Sequence, residues 1–384
     1  MSTLSSVNIT ILGSASAQPS STRNHSSLAL RLDGDVWLFD CGEATQHQIQ
    51  RSSVKMGKVQ KIFITHTHGD HIFGVLPVLA MRLNGAGGTV DVEDPRAVTA
   101  PPKDVPPLEI YGPLGTRAYV RNGLTYTHTL LGMPYVVHEL RFPSDPPDGD
   151  YTALPPHPME RPGRNVAQVD GVWPEIFKGA LATVSAAPIL HSIPCVGYVV
   201  NELPVPGKVD PQKYIPELKR TKTPMSVMRQ LQHGESITLS DGTVLHGPQR
   251  KPGRKIVILG DTYDPSPIAG LAEDACLLMH EATNAHLPGI DPATKDADTY
   301  ETVEERAKSR GHSTPQMAGA FAKKIRARKL VLNHFSARYA GDDDMNEETA
   351  RVMSRIRELA ESTYGGEVVC ARDLMSFELG PRKE

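Results

Sequence analysis

THTHGDHIFG, residues 65–74, places His66, His68, Asp70 and His71 within six positions. Neutral imidazole and carboxylate are ligands of a catalytic zinc, which keeps one coordination position open for water. His66 and His68 are two apart, so in an extended segment they face the same side and can hold one metal. Gly69 turns the chain, so Asp70 and His71 can point at a second. Six residues cannot close two sites. A third histidine from another strand end is needed, and so is a carboxylate able to bridge both metals. Two metals about 3.5–4 Å apart bind a hydroxide between them and clamp the entering and leaving oxygens of a phosphodiester. The alternatives are a histidine-rich surface loop or a single structural zinc, but structural zinc usually takes cysteine and this loop has none.

Working outward, KVQKIFITH (58–66) reads as a strand that delivers its C-terminal end into the motif, and GVLPVLAMRLN (74–84) as a helix with Pro77 in its first turn. VNITILG (7–13) is a buried strand. SSLALRL (26–32) and DVWLFD (35–40) form a hairpin around Asp33-Gly34. A short helix follows from Glu43 to Val54. LEIYGP, ALATVSAAPILHS, CVGYVVNEL, KIVILGDT, ACLLMHEAT and KLVLNHFS are further strands, and STPQMAGAFAKKIRARK is a helix with Ser313 or Thr314 as N-cap and Pro315 at its first position. Five strand-like segments end in polar residues, at Asp40, His66, Asp261, His280-Glu281 and His334. Strand ends lie at one rim of a sheet, so these side chains can converge there. Residues 91–107 and 143–165 are rich in Pro; the second reads as a flexible insertion with little regular structure.

The chain has 384 residues, 39% hydrophobic, and a formal net charge of -3. A nucleic-acid role would therefore need local basic patches. Cys41, Cys195, Cys276 and Cys370 form no C-x-x-C pair and read as free thiols of a reducing compartment. No run approaches a membrane span, and MSTLSSVNIT lacks the pattern of a signal peptide. The expectation is a soluble cytoplasmic or nuclear protein.

H-x-H-x-D-H is shared across the metallo-β-lactamase superfamily, which includes thioesterases, lactamases, oxidoreductases and nucleases. LFDCGEATQHQ, FITHTHGDHIFG, the Leu190-His191 pair of PILHSIPCVGY, ILGDT, MHEAT, GHSTPQMA and LNHFSARY, in this order, resemble tRNase Z (ribonuclease Z), short form. The resemblance spans residues 7 to about 340. It implies a single α/β domain over 1–384, a four-layer αβ/βα sandwich with a protruding arm. It implies two zinc ions per subunit, or manganese or another divalent metal: one on His66, His68 and His191, the other on Asp70, His71 and His334, bridged by Asp261. It assigns Asp70 a second task, taking the proton from the attacking water. Asp40 would orient ligands without binding metal. Glu281 and His312 would protonate the leaving ribose oxygen.

The implied reaction is endonucleolytic removal of the 3′ trailer from precursor tRNA, leaving a 3′-hydroxyl on the tRNA and a 5′-phosphate on the trailer. Residues 204–234 match the family's tRNA-gripping arm and carry Lys208, Lys213, Lys219, Arg220 and Lys222. Many members have a Gly-Pro turn there, where this chain has KRTKTPMSV. Lys251–Lys255 (KPGRK) and Lys323–Lys329 (KKIRARK) are further candidate phosphate contacts, the latter read rather as a solvated helix face. PSSTRNHS (19–26) matches the loop that senses the tRNA 3′ end, with Ser21 where bacterial-type members have lysine. The resemblance also implies a homodimer in which one subunit's arm serves the other's active site. The competing readings are a glyoxalase-II-like thioesterase, which needs neither the HEAT and GHST segments nor a basic arm, and a non-catalytic RNA-binding relative, which would have lost ligands that this chain retains.

Overall fold

Two sheets grow from the alternating and continuous apolar runs. The computed structural model describes residues 4, 6–84, 104–149, 151–204, 207 and 209–382. Val7–Gly13, Ser27–Leu32 and Asp35–Phe39 pair antiparallel, and Leu32 faces Asp35 across the Asp33-Gly34 turn. Asp33 sits there at φ 53°, a conformation that a short polar side chain tolerates by bonding locally; its carboxylate accepts from the Ser6 N–H at 2.9 Å. Val59–Phe63, Leu108–Pro113 and Tyr135–Arg141 extend the sheet in parallel. Ser376–Glu378 closes one edge against Val7–Gly13. In the second sheet Trp173–Lys178, Ala182–Ile189, Cys195–Glu202 and Lys255–Ile258 are antiparallel neighbours. Leu277–Glu281, Lys329–Asn333 and Glu367–Cys370 continue it in parallel.

The sheets face each other across an aromatic-rich core. Phe63 stacks between Phe39 at 4.9 Å and Tyr111 at 5.0 Å, and Tyr198 of the second sheet meets it at 5.3 Å. Such pairs add about 0.5–1.5 kcal/mol each beyond the area they bury. Helices Thr45–Arg51, Val75–Arg82 and Thr116–Tyr126 cover the outside of the first sheet through Ile49, Val78, Leu79, Val120 and Leu124. Helices Pro315–Lys324 and Glu347–Tyr364 cover the second through Phe321, Ala322, Met353 and Ile356. The four-layer αβ/βα sandwich expected from the sequence is the architecture found.

Local chemistry sets the helix limits. Thr314, not Ser313, caps Pro315–Lys324, accepting from the Met317 N–H at 3.4 Å. Asn346 accepts from the Glu348 N–H at 3.0 Å to start Glu347–Tyr364, and Gly365, at φ 76°, ends it. Thr116–Tyr126 buries Arg117 and Arg121 where apolar residues would be expected; Glu139 at 3.5 Å and Glu160 at 2.7 Å neutralise them.

Residues 143–165 are more regular than expected. Glu160–Arg161 pairs with Tyr135–Arg141, as does Asn165–Ala167 at its end, and His157 meets the Thr129 carbonyl at 3.0 Å. Residues 85–103, with most of the Pro-rich loop, and Lys208 lie outside the described residues.

The arm segment contains helices Pro211–Arg220 and Met228–Gln232, and the same unit continues past residue 234 into a hairpin, Ser236–Thr238 with Val244–His246. Tyr214, Leu218, Leu231 and Leu239 are buried yet belong to neither main core. Within this segment Tyr214 Oη donates to the His246 carbonyl at 2.8 Å, and Arg220 pairs with Asp241 at 2.6 Å, joining the first helix to the hairpin.

Candidate metal centre

Strand ends of both sheets meet at one rim. His66 follows Val59–Phe63, His191 follows Ala182–Ile189, Asp261 follows Lys255–Ile258 and His334 follows Lys329–Asn333. Two clusters of ligand atoms result, His66, His68, His191 and Asp261, then Asp70, His71, Asp261 and His334, each within 4.8 Å. Asp261 belongs to both. Its Oδ1 lies 3.2 Å from His334 Nε2 and 3.3 Å from His71 Nε2, while Oδ2 lies 3.7 Å from His66 Nε2 and 3.9 Å from His191 Nε2.

The histidines are held from behind. His71 Nδ1 donates to Asp40 Oδ2 at 2.6 Å, and His191 Nδ1 to the Gly311 carbonyl at 2.8 Å. His66 Nδ1 meets Thr65 Oγ1 at 3.1 Å, and His334 Nδ1 meets Thr283 Oγ1 at 3.1 Å. Protons on these four Nδ1 atoms leave four Nε2 lone pairs aimed inward. Gly311 at φ 84° is required there, because a Cβ would lie 2.5 Å from His191 Nδ1. Asp40 also takes a positive φ of 57° and accepts from the Thr65 N–H at 2.7 Å. It touches the ligands without facing the centre.

The donor set fits divalent metal. His71 Nε2 and His334 Nε2 are 3.0 Å apart, His66 Nε2 and His68 Nδ1 3.1 Å, and His191 Nε2 and His68 Nδ1 3.2 Å. Ligands at about 2.0–2.1 Å from a tetrahedral zinc have edges of about 3.4 Å. Facing imidazole nitrogens at such distances repel unless a proton or a metal cation lies between them. Asp261 Oδ1, buried and without a hydrogen bond, also calls for positive charge.

Electrostatics follow the same geometry. Burial and the charge of His71 hold His66 well below its ordinary value. Burial opposes the ionised form of Asp70, but hydrogen bonding to His334 and the charge of His71 outweigh it and hold that carboxyl far below the carboxylate range. Asp261 is also depressed against burial, by His334 and His71.

Beside this lies a second constellation. Glu281 is buried and accepts from the Thr262 N–H at 2.7 Å, the Thr283 hydroxyl at 2.6 Å, the Ser313 N–H at 3.1 Å and His312 Nδ1 at 3.1 Å. Burial pulls the His312 imidazole down, yet the Glu281 carboxylate outweighs it and lifts it to about 9. The ring is then cationic at neutral pH, with Nδ1 held and Nε2 free to act. His280 stays out of the site, its Nδ1 on the Glu281 carbonyl at 2.8 Å and its ring against Phe321.

The basic candidates divide. Lys213, Lys219 and Lys222 are exposed on the arm. Arg220 is engaged there by Glu217 at 2.7 Å and Asp241 at 2.6 Å. None of the four contacts the metal centre among the described residues. KPGRK fails in part, because Arg254 is buried in a pair with Glu202 at 2.8 Å. In KKIRARK, Arg326 pairs with Asp274 and Lys329 with Glu367, as a solvated face would. In PSSTRNHS, Arg23 is buried and donates to the carbonyls of Tyr339, Ala340 and Ala371.

Sequence reasoning missed Thr283 and Ser313, although both lie inside quoted motifs. It also missed Ala17, whose backbone N–H donates to Asp70 Oδ2 at 2.8 Å; a main-chain donor leaves no residue-type signal.

The chain is similar to known proteins over nearly its whole length. It is 37% identical to Zinc phosphodiesterase ELAC protein 1 of Bos taurus, over 98% of this chain and 100% of that protein. It is 36% identical to Ribonuclease Z of Cyanothece sp., over 88% of this chain and 87% of the relative. The crystal structure of human tRNase Z, short form, superposes with a TM-score of 0.61 at 30% identity, covering 97% of this chain and 99% of that one. The family described as Anti-Pycsar protein Apyc1 matches residues 7–84, the part that holds the histidine motif.

Proposed function

Because this chain belongs to the ribonuclease Z family, we propose that it is a zinc-dependent endoribonuclease that removes the 3′ trailer of precursor tRNA. The observation that carries the reading is Asp261, with one oxygen toward each ligand cluster, beside His312 held by Glu281 at 3.1 Å. The thioesterase alternative has no use for the Glu281–His312 pair. The non-catalytic alternative does not explain a complete ligand set.

His66, His68 and His191 would hold one zinc, Asp70, His71 and His334 a second, and Asp261 would reach both. When bound, the metals supply Lewis acidity toward the phosphoryl oxygens and lower the pKa of water. Asp70, oriented by the Ala17 N–H on its Oδ2, would take the proton of the attacking water. Water oxygen bonds to phosphorus and the bond to the ribose O3′ breaks. His312 Nε2 gives its proton to that O3′, and Glu281 steadies the ring through Nδ1. The tRNA ends in a 3′-hydroxyl and the trailer in a 5′-phosphate. Exposed Lys213, Lys219 and Lys222 give the arm a charged face for tRNA phosphates. The homodimer, with one arm serving the partner's site, belongs to the same reading. Among the described residues no helix is long and apolar enough to cross a membrane.

The test is cleavage of a 3′-extended precursor tRNA by zinc-loaded wild type and by Asp70→Ala. The reading expects one cut with the stated ends and its loss in the variant. Inert wild type, or equal cleavage by both, overturns it.

A further inference from the structure

A pocket of about 140 Å³ is lined by Asn284, Thr294, Asp298, Arg306, Arg310 and Arg338 among others. Its walls come from the same three chain segments as the site. Asn284 follows Glu281 by three residues, Arg310 precedes His312 by two and Arg338 follows His334 by four. Thr283 bonds both Glu281 and His334, and Gly311 holds His191. The pocket is therefore tied to the reacting groups by short stretches of main chain.

Two of its arginines are set in place by carboxylates. Arg306 meets Asp298 Oδ1 at 2.5 Å, and Asp298 is itself fixed by the Lys295 N–H at 2.9 Å. Arg338 meets Asp291 Oδ2 at 2.8 Å, with its guanidinium 4.6 Å from the centre of the Tyr339 ring. Each keeps further N–H groups, since a guanidinium has five. Arg310 is exposed, and its guanidinium has no ion-pair or hydrogen-bond partner among the described residues. Three guanidinium groups against two carboxylates leave one excess positive charge. Planar forks of fixed orientation suit a tetrahedral oxyanion better than a lone ammonium does.

We propose that Arg306, Arg310 and Arg338 form a subsite for a backbone phosphate of the RNA, close to the bond that is cut. This rests on the nuclease reading above. Arg310 is the exposed clamp and the other two are the preset floor. The subsite fixes the register of the strand across the metals.

The test uses Arg310→Ala and Arg310→Lys, with Arg355→Ala as a control that removes an equal charge from the Glu347–Tyr364 helix. Affinity for precursor tRNA is measured over a salt series with Asp70→Ala in every background, so that no RNA is cut. Cleavage kinetics are measured without that change. Arg310→Ala is expected to weaken affinity about ten-fold and raise KM in proportion. It should lower the slope of log affinity against log salt by about 0.7–0.9, one phosphate contact. Arg310→Lys should keep the slope and lose part of the affinity, and Arg355→Ala should change neither. An unchanged slope and affinity in Arg310→Ala, with wild type cleaving normally, overturns the subsite alone. Wild type that binds but does not cut overturns the nuclease reading, and the slope still decides the subsite. A general loss shared by Arg355→Ala marks a net-charge effect and also overturns it.

Discussion

His191 donates its Nδ1 proton to the carbonyl of Gly311, 120 positions away, at 2.8 Å. One bond thus sets a ligand of the candidate centre and the loop that presents His312. Gly311→Ala would put a methyl group 2.5 Å from that nitrogen and force alanine into φ 84°. Zinc affinity is expected to fall by about 10–100-fold, with kcat falling as well. Competition with a fluorescent chelator measures the first; unchanged affinity would count against His191 as a ligand.

Asp40 plays the same part for His71. Asp40→Asn keeps the shape and loses the charge that holds Nδ1–H at 2.6 Å. Zinc affinity should drop about 10–100-fold while circular dichroism stays native. Retention of full affinity would reduce Asp40 to a packing residue.

Glu281 and His312 separate chemistry from metal binding. Glu281→Gln and His312→Ala should lower kcat by about 10²–10⁴ and leave KM near wild type. Zinc content read by atomic absorption should stay unchanged. Loss of zinc in either variant would assign the pair to the centre instead.

His138 supplies a pH dependence remote from catalysis. Burial, then the charge of Arg164, lowers its imidazole to about 4, and Nδ1 accepts the Arg164 N–H at 3.1 Å. Below about pH 6.5 the unfolded chain takes up a proton that the folded chain refuses until about pH 4. Unfolding there binds protons, so this residue's contribution to stability is complete above that window and is lost as pH falls through it. His138→Gln should flatten the fall, removing up to ~1 proton from the uptake on unfolding at pH 5. Denaturant titrations at pH 4.5, 5.5 and 7 check it; an unaltered slope rejects the assignment.

On the arm, Lys219→Ala and Lys222→Ala should each raise KM for precursor tRNA and reduce its salt slope by about 0.7–0.9. Arg220→Ala should act differently. It unties Glu217 and Asp241, so the arm should show faster local hydrogen exchange. Equal effects of all three on KM alone would contradict this division.

The fold was legible because its strands are continuous apolar runs, and the site because each run stops at a histidine or an acid. Two clusters in one loop demand a bridging carboxylate, and the family resemblance pointed to Asp261 for it. Thr116–Tyr126 was hidden by Arg117 and Arg121, buried charges whose partners lie at Glu139 and Glu160; no period in the helix itself marks them. Glu347–Tyr364 did carry its signals, Asn346 before two glutamates and Gly365 at its end, but no chemical motif drew the reading there. Arg23 drew no reading of its own, because long-range carbonyl partners leave no mark in sequence, yet it joins its loop to the Tyr339–Ala371 region.

His66, His68, Asp70 and His71 follow a strand of the first sheet, whereas His191, Asp261 and His334 follow strands of the second. Neither half alone can complete a coordination shell. Metal uptake is therefore a clasp between the halves, and its free energy adds to their docking. Free zinc at 100 times its dissociation constant would raise the folding free energy by about 2.7 kcal/mol per site. Chelation should then lower the melting temperature and loosen the seam between the sheets, so that zinc supply governs how long the protein survives as well as how fast it works.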